Sequence, residues 1–273
     1  MLSDITLGQY FPGSSPLHRT DPRMKIIITI LYITSVFLAA SVTGFAFLIL
    51  FTVALIILSN IPVKIILKGM KPLIMVIIFT AVINILWTRG ETLVFSWKFI
   101  NIYLEGIMYA VLMVVRISAL LAGTGVVLTY TTSPIALTDG IERLLAPLKA
   151  IHLPVHEFAM MMTIALRFIP TLIRETEKIM NAQKARGADF STGSISNRAK
   201  ALIPILIPLF ISAFRRADEL ATAMECRCYR GGDGRTRMTE LHYSPVDFAM
   251  LFLFIAAGAC VVLLNKFLPV YSI

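Results

Sequence analysis

From Ile26 to Val63 the chain runs for 38 residues without a charged side chain. A helix needs about 20 apolar residues to cross ~30 Å of hydrocarbon, so this run is too long for one crossing and fits two. The reversal is expected near Ser41-Val42-Thr43-Gly44, where glycine and hydroxyl side chains tolerate a turn. Pro72 to Thr88 supplies a third apolar run, Gly106 to about Tyr130 a fourth, interrupted only by Arg116, and Val246 to Leu264 a fifth. No backbone group can stay unpaired in lipid, so all five are expected as helices. Composition agrees, with 57% hydrophobic and 15% charged residues and a mean hydropathy of +0.80, more apolar than a soluble core requires.

Basic residues orient the spans, because cytoplasmic loops hold an excess of Lys and Arg. With the N-terminus inside, 21 of the 25 Lys and Arg face the cytoplasm, 15 of them between Asp139 and Glu240. Arg89, Lys98 and Lys266 remain outside and Arg116 lies within a span, which puts the C-terminus outside the cell membrane. Topology and the anionic lipid bilayer explain the net charge of +9, and no nucleic acid is needed as a partner. The opening MLSDITLGQYFPGSSP has no apolar run behind a basic start, so the first span is expected to act as its own signal.

Asp139 to Pro245 holds 26 of the 41 charged residues yet contains two apolar blocks, Phe158 to Leu166 and Ala201 to Phe214. Both are shorter than a crossing requires, so they are expected on or partly in the membrane. Pro170, Pro204 and Pro208 remove amide donors and should bend the helices where apolar half meets polar half. Whether Asp139 to Leu153, with Pro147, forms its own helix or a bent link stays open. The chain thus divides into a membrane domain at 1–138 with four spans, a cytoplasmic region at 139–245, and a last span at 246–273.

The polar halves repeat. RETEKIMNAQKAR (Arg174 to Arg186) and RRADELATAMECR (Arg215 to Arg227) lie forty-one residues apart and share an acidic residue (Glu177, Asp218), an apolar one (Ile179, Leu220), an alanine (Ala182, Ala223) and the final arginine. The repeat is direct and points in parallel, not inverted. Gly187 and the pair Gly231-Gly232 are the expected helix terminators, which places both arginines at or near C-terminal ends. One such arginine would merely complement the helix macrodipole, at about 0.3–1 kcal/mol. Two at matched spacing, each between small residues (Ala185 and Gly187, Cys226 and Cys228), point to two like sockets on a soluble partner. There the guanidinium fork can bind carboxylates bidentately as lysine cannot.

GQYFPGSSPLHRTDPRMK (Gly8 to Lys25), ALRFIPTLIRETEKIMNAQKARGADF (Ala165 to Phe190) and ALIPILIPLFISAFRRADELATAMECRCYRGG (Ala201 to Gly232) together give the chain, over nearly its whole length, a family likeness. It resembles the transmembrane T component of energy-coupling factor transporters, importers of vitamins and metals in the ABC class. The resemblance implies an all-α integral membrane protein of about five transmembrane helices with a cytoplasmic coupling region of two long bent amphipathic helices. It also implies partners: two ATP-binding ATPase subunits, and one exchangeable substrate-binding membrane protein that captures the solute. In that family each coupling helix carries an arginine between small residues that enters a groove on one ATPase. Ala185-Arg186-Gly187 matches the first such motif, and Cys226-Arg227-Cys228 matches the second in part, with cysteines where alanine and glycine are more usual.

Such a subunit binds no cofactor and is not itself an enzyme; the chain has no G-x-x-x-x-G-K-[ST] phosphate loop. Gly123-Thr124-Gly125, inside a span with no strand before it, reads as close helix packing. The apolar halves offer a platform for the capture protein through Phe158, Met160, Met161 and Met162, and through Ile205, Leu206, Leu209 and Phe210; packing of one coupling helix on the other is the alternative for each. Arg116 is read as a structural tether, since the spans hold no acidic residue between their ends to relay protons, and Glu105, Asp139 and Asp247 sit at boundaries. Cys226 and Cys228, with Cys260 distant and only His242 near, fall short of a four-ligand metal site. His18, His152 and His156 belong to no catalytic constellation. The alternatives are a stand-alone secondary transporter, which would show inverted repeats around a midplane site, and a membrane scaffold without energy coupling.

Overall fold

The computed structural model describes residues 10–90, 92–97, 100–151, 154–188, 195–231 and 240–267. Helices begin where short polar side chains can hold free amides. After a single turn, α1 (Pro16–Arg19), the carboxylate of Asp21 accepts from the Arg23 amide at 2.8 Å and starts α2 (Pro22–Leu38). The Ser41 hydroxyl accepts from the Gly44 amide at 3.1 Å and starts α3 (Val42–Ser59), placing the reversal at residues 39–41. Asn60, in the left-handed region at φ 54°, ends α3.

The next crossing is longer than expected. α4 (Val63–Met70), a 3-10 turn over Lys71–Leu73 and α5 (Ile74–Trp87) form one 25-residue helical run, so the span starts at Val63 instead of Pro72. Lys64, Lys68 and Lys71 recur at helical spacing along one side, and charges that share a side do not end a helix. The loop beyond it holds an element with no counterpart in the expected all-helical plan. β1 (Leu93–Trp97) and β2 (Ile100–Tyr103) pair antiparallel, Leu93 opposite Tyr103 and Trp97 opposite Ile100.

The chain continues through α6 (Leu104–Thr124), which widens into a π-helical turn at Gly125–Thr129, and α7 (Pro134–Leu145) with a 3-10 turn at Ala146–Ile151. The segment left open in the sequence is therefore a helix, begun before Asp139, followed by a tight turn. Two long helices, α8 (Val155–Ala185) and α9 (Ile195–Cys226), precede α10 (Pro245–Phe267). The chain is an all-α membrane protein, its described residues helical or connecting apart from that hairpin.

Among the described residues five helical stretches are long and apolar enough to cross a membrane: Val42–Ser59, Val63–Trp87, Leu104–Thr129, Val155–Ala185 and Pro245–Phe267. They are not quite the five expected. α2, with 17 residues, is about 26 Å long, shorter than these five. α8 was expected to be too short in its apolar block, but its helix runs on past Glu157 at one side of that block and Arg167 at the other.

The described residues fall into two compact units, 10–140 with 241–267, and 141–240. The first is centred on Tyr32 of α2, which is 1% exposed and packs on Phe51 and, edge-on, on Phe254. Its hydroxyl donates to the Ala119 carbonyl at 2.8 Å and lies 2.8 Å from the Thr52 hydroxyl, which joins α2, α3 and α6. Gly123 makes this possible: a Cβ there would sit 2.2 Å from Tyr32 Cζ. The ring is held at both ends and cannot yield, so Gly123→Ala should cost about 1–3 kcal/mol as overpacking. Thermal unfolding of the solubilised protein would show this as a lowered midpoint, while Leu121→Ala on the same helix should not reproduce the clash.

Arg116 of α6 lies in the same unit. Its Nη2 donates to the Ala39 carbonyl at 2.7 Å, and its guanidinium sits 5.0 Å from the centre of the Phe45 ring. Asn265 of α10 accepts from the Ser41 amide at 3.1 Å and donates to the Leu38 carbonyl at 2.6 Å. Between them the two side chains satisfy the backbone of the α2–α3 reversal, as a turn buried among apolar helices demands.

Candidate functional site

The two polar repeats are the second halves of α8 and α9. Pro170, Pro204 and Pro208 lie inside these helices without ending them. At the end of α8 the Gly187 amide donates to the Lys184 carbonyl at 2.9 Å and the Ala188 amide to that of Gln183 at 3.0 Å. Forty-one residues on, the Cys228 amide donates to the Glu225 carbonyl at 2.8 Å and the Tyr229 amide to that of Met224 at 3.0 Å. Both ends are the same Schellman turn, and in both the arginine is the last half-helical residue. Arg186 and Arg227 are exposed, with Ala185, Gly187, Cys226 and Cys228 exposed around them.

The terminators differ in one respect from the sequence expectation. Gly187, at φ +86°, does end α8, but α9 is ended by Cys228 at φ 55°, not by Gly231, which lies three residues further on at φ +92°. Gly232 lies outside the described residues, as do His152 and the Asp189-Phe190 end of the first long motif. Superposing the repeats would have found this, since Cys228 falls on Gly187. An L-residue in the left-handed region costs about 1–2 kcal/mol where glycine costs almost nothing. Cys228→Gly is therefore expected to stabilise the α9 end by about 1 kcal/mol, with slower amide exchange at 225–229.

α8 and α9 pack against each other. Glu175 accepts from the Ser212 hydroxyl at 2.7 Å and from Arg216 Nη2 at 2.5 Å. An apolar cleft of about 260 Å³ is lined by Ile164, Phe168 and Leu172 on one helix and Ala213, Leu220 and Met224 on the other. Met160, near the start of α8, shares a second cavity of about 610 Å³ with Met224, Arg227 and Cys228, at the end of α9. Early residues of α8 thus meet late residues of α9, and the direct repeat, read as pointing in parallel, packs antiparallel. Chain length requires it. The nine residues between the helices reach at most about 32 Å, whereas a parallel return must climb the ~47 Å length of α8.

This places the two arginines far apart. Arg227 lies beside Met160, and Arg186 is at the other end of the same helix, about 39 Å away along a straight axis. One socket cannot hold both. The residues read as a platform divide. Phe158, Met161, Leu206 and Phe210 are exposed, as is Met162; Met160 and Leu209 are half-buried; Ile205 is only 4% exposed and packs inside the unit. The exposed face on α9 extends to Ile203, Ile207 and Phe214, which the sequence reading passed over although they lie at helical spacing from Phe210. Among the described residues no three of His, Cys, Asp and Glu converge to hold a metal, and Cys226 and Cys228 are free thiols.

Comparison with known proteins adds to this geometry. Residues 13–239 match the family described as CbiQ, cobalt transport protein. The chain is 58% identical over 247 residues to the energy-coupling factor transporter transmembrane protein EcfT of Ruminiclostridium cellulolyticum, covering 90% of this chain and 92% of that one. It is 56% identical to that of Acidaminococcus fermentans, covering 93% and 96%, and 45% identical to that of Bacillus subtilis, covering 95% and 97%.

Proposed function

Because the chain belongs to the family of energy-coupling factor transporter transmembrane proteins, we propose that it carries motion from two ATPase subunits to a membrane protein that captures the transported vitamin or metal. The observation that carries this reading is the pair of identical helix ends, each presenting an exposed arginine, at opposite ends of an antiparallel helix pair. Two like ends suit two like sockets. Each socket supplies carboxylates to a guanidinium fork, a contact that is short, charge-assisted and directional. The ATP is hydrolysed by the partners, and this chain is the lever between them and the capture protein.

When the ATPase subunits close on ATP, the sockets move and the helices holding Arg186 and Arg227 tilt or slide. The Glu175 to Arg216 pair joins equivalent positions of the two copies, since the residues are forty-one apart, and so acts as a pivot at the crossing. Exposed Phe158 and Met161 near the start of α8, and Leu206 and Phe210 on α9, offer two separate apolar patches to the capture protein, where the flexible methionine suits exchangeable partners. The N-terminus and both long helices lie on the cytoplasmic side by the excess of basic residues. The test is a detergent pull-down of the tagged chain with its ATPase pair. Retention of both subunits in equal amount supports the reading, and a wild-type chain that retains neither sinks it.

A further inference from the structure

α2 and α10 begin side by side, joined by buried polar contacts. Ser244-Pro245-Val246-Asp247 opens α10 with half of a capping box: Asp247 Oδ2 accepts from the Ser244 amide at 2.6 Å, and the Asp247 amide donates to the Ser244 carbonyl at 3.0 Å. Its other oxygen accepts from the Asp21 amide at 2.7 Å, at the start of α2. Lys25 Nζ donates to the Thr131 carbonyl at 2.8 Å, and Asp21, Lys25 and Asp247 are all buried. Above this buried layer lies Arg23. Its Nε and Nη2 bind Asp21 at 3.0 and 2.9 Å, Nη2 also donates to the Leu241 carbonyl at 3.1 Å, and its guanidinium lies 4.1 Å from the centre of the Tyr243 ring.

Those last two contacts fall on the stretch that leads from α9 back into α10. The chain leaves α9 at Cys226, beside Arg227, and re-enters helix at Pro245. Arg23 holds it at Leu241 and Tyr243, immediately before that re-entry. We infer that Arg23 is a positioning residue for energy coupling: it fixes the chain at 241–243 to the start of α2, so that displacement of the Arg227 end is delivered to α2 and α10 and not lost in the connecting stretch. This rests on the coupling function proposed above. Arg23 touches neither nucleotide nor solute and acts only through this hold. Lysine could keep the charge but not the fork that reaches carboxylate, carbonyl and ring together.

The experiment is hydrogen–deuterium exchange on the chain assembled with its ATPase pair in nanodiscs, without nucleotide and with a non-hydrolysable ATP analogue. In the wild type the analogue is expected to change exchange both at 222–230 and in the first turns of α2 and α10. In Arg23→Gln the change at 222–230 persists and that at α2 and α10 falls at least fivefold, with Arg23→Lys between. Arg23→Gln leaves the Arg23 amide on Asp21, so the cap of α2 survives. Should it still fail to accumulate, Tyr243→Leu decides by the same measurement, since Tyr243 is exposed and its ring contacts are those with Arg23 and Phe248. The inference is overturned if the variant matches the wild type, if the wild type shows no change at α2 and α10, or if exchange rises there regardless of nucleotide, which marks a purely structural contact. Failure of the wild type to retain the ATPases is a separate result and removes the coupling function itself.

Discussion

With Arg186 and Arg227 both replaced by alanine, the ATPase pair is expected to be lost from the solubilised complex, although the chain itself folds as before. Both side chains are exposed and make no contact on which the helix ends depend; the Schellman turns are held by backbone amides alone. In the proposed complex each guanidinium is desolvated against carboxylates, and truncating one member of such a pair costs about 2–5 kcal/mol. At about 1.4 kcal/mol per tenfold, each single change should weaken its socket roughly 30-fold or more. Because the sockets are about a helix length apart and share no partner, the two losses should add. Co-purification of the ATPases with wild type, both single variants and the double variant reads this directly. Four equal yields would return the arginines to ordinary helix-end charges.

Asp247→Ala is expected to have the largest effect on folding. The side chain is 1% exposed and holds two amides, those of Ser244 and Asp21, which start α10 and α2. Alanine leaves the buried Asp21 amide and the half-buried Ser244 amide without this partner and removes the carboxylate beside buried Lys25, at a cost of about 3–5 kcal/mol. That is a large part of the stability of a typical domain. Size-exclusion profiles and thermal unfolding of the solubilised chain should show aggregation or a much lowered midpoint. Asp247→Asn keeps one acceptor and should fall between. A fully stable Asp247→Ala protein would mean that water reaches the two amides.

Some of this was legible in the residues and some was not. The spans followed from apolar runs because lipid gives the backbone no alternative to helix, and Gly123 announced close packing because a small residue inside a span has few other uses. The boundaries were less legible. Lys64, Lys68 and Lys71 broke the charge-free run without breaking the helix, since three residues on one side can face away from lipid. The two-stranded hairpin at 93–103 was missed because the reading sought only helices. Ile205 looked the same in sequence as Leu206, and only the packing of α9 separated the buried side chain from the exposed one.

For the candidate site, the repeat revealed the arginines and their spacing, and those need no fold to be seen. Sequence alone determined that the chain is a multi-pass helical membrane protein with two equivalent arginine-tipped helices, because apolar length and residue spacing are properties of the chain itself. Tertiary structure alone decided that Ile205 is buried while Leu206 beside it stays exposed, and that Arg23, Asp21, Lys25 and Asp247 meet where α2 and α10 begin. Those facts depend on contacts between residues up to 226 positions apart, and no local pattern in the chain records which distant groups will share a hydrogen bond.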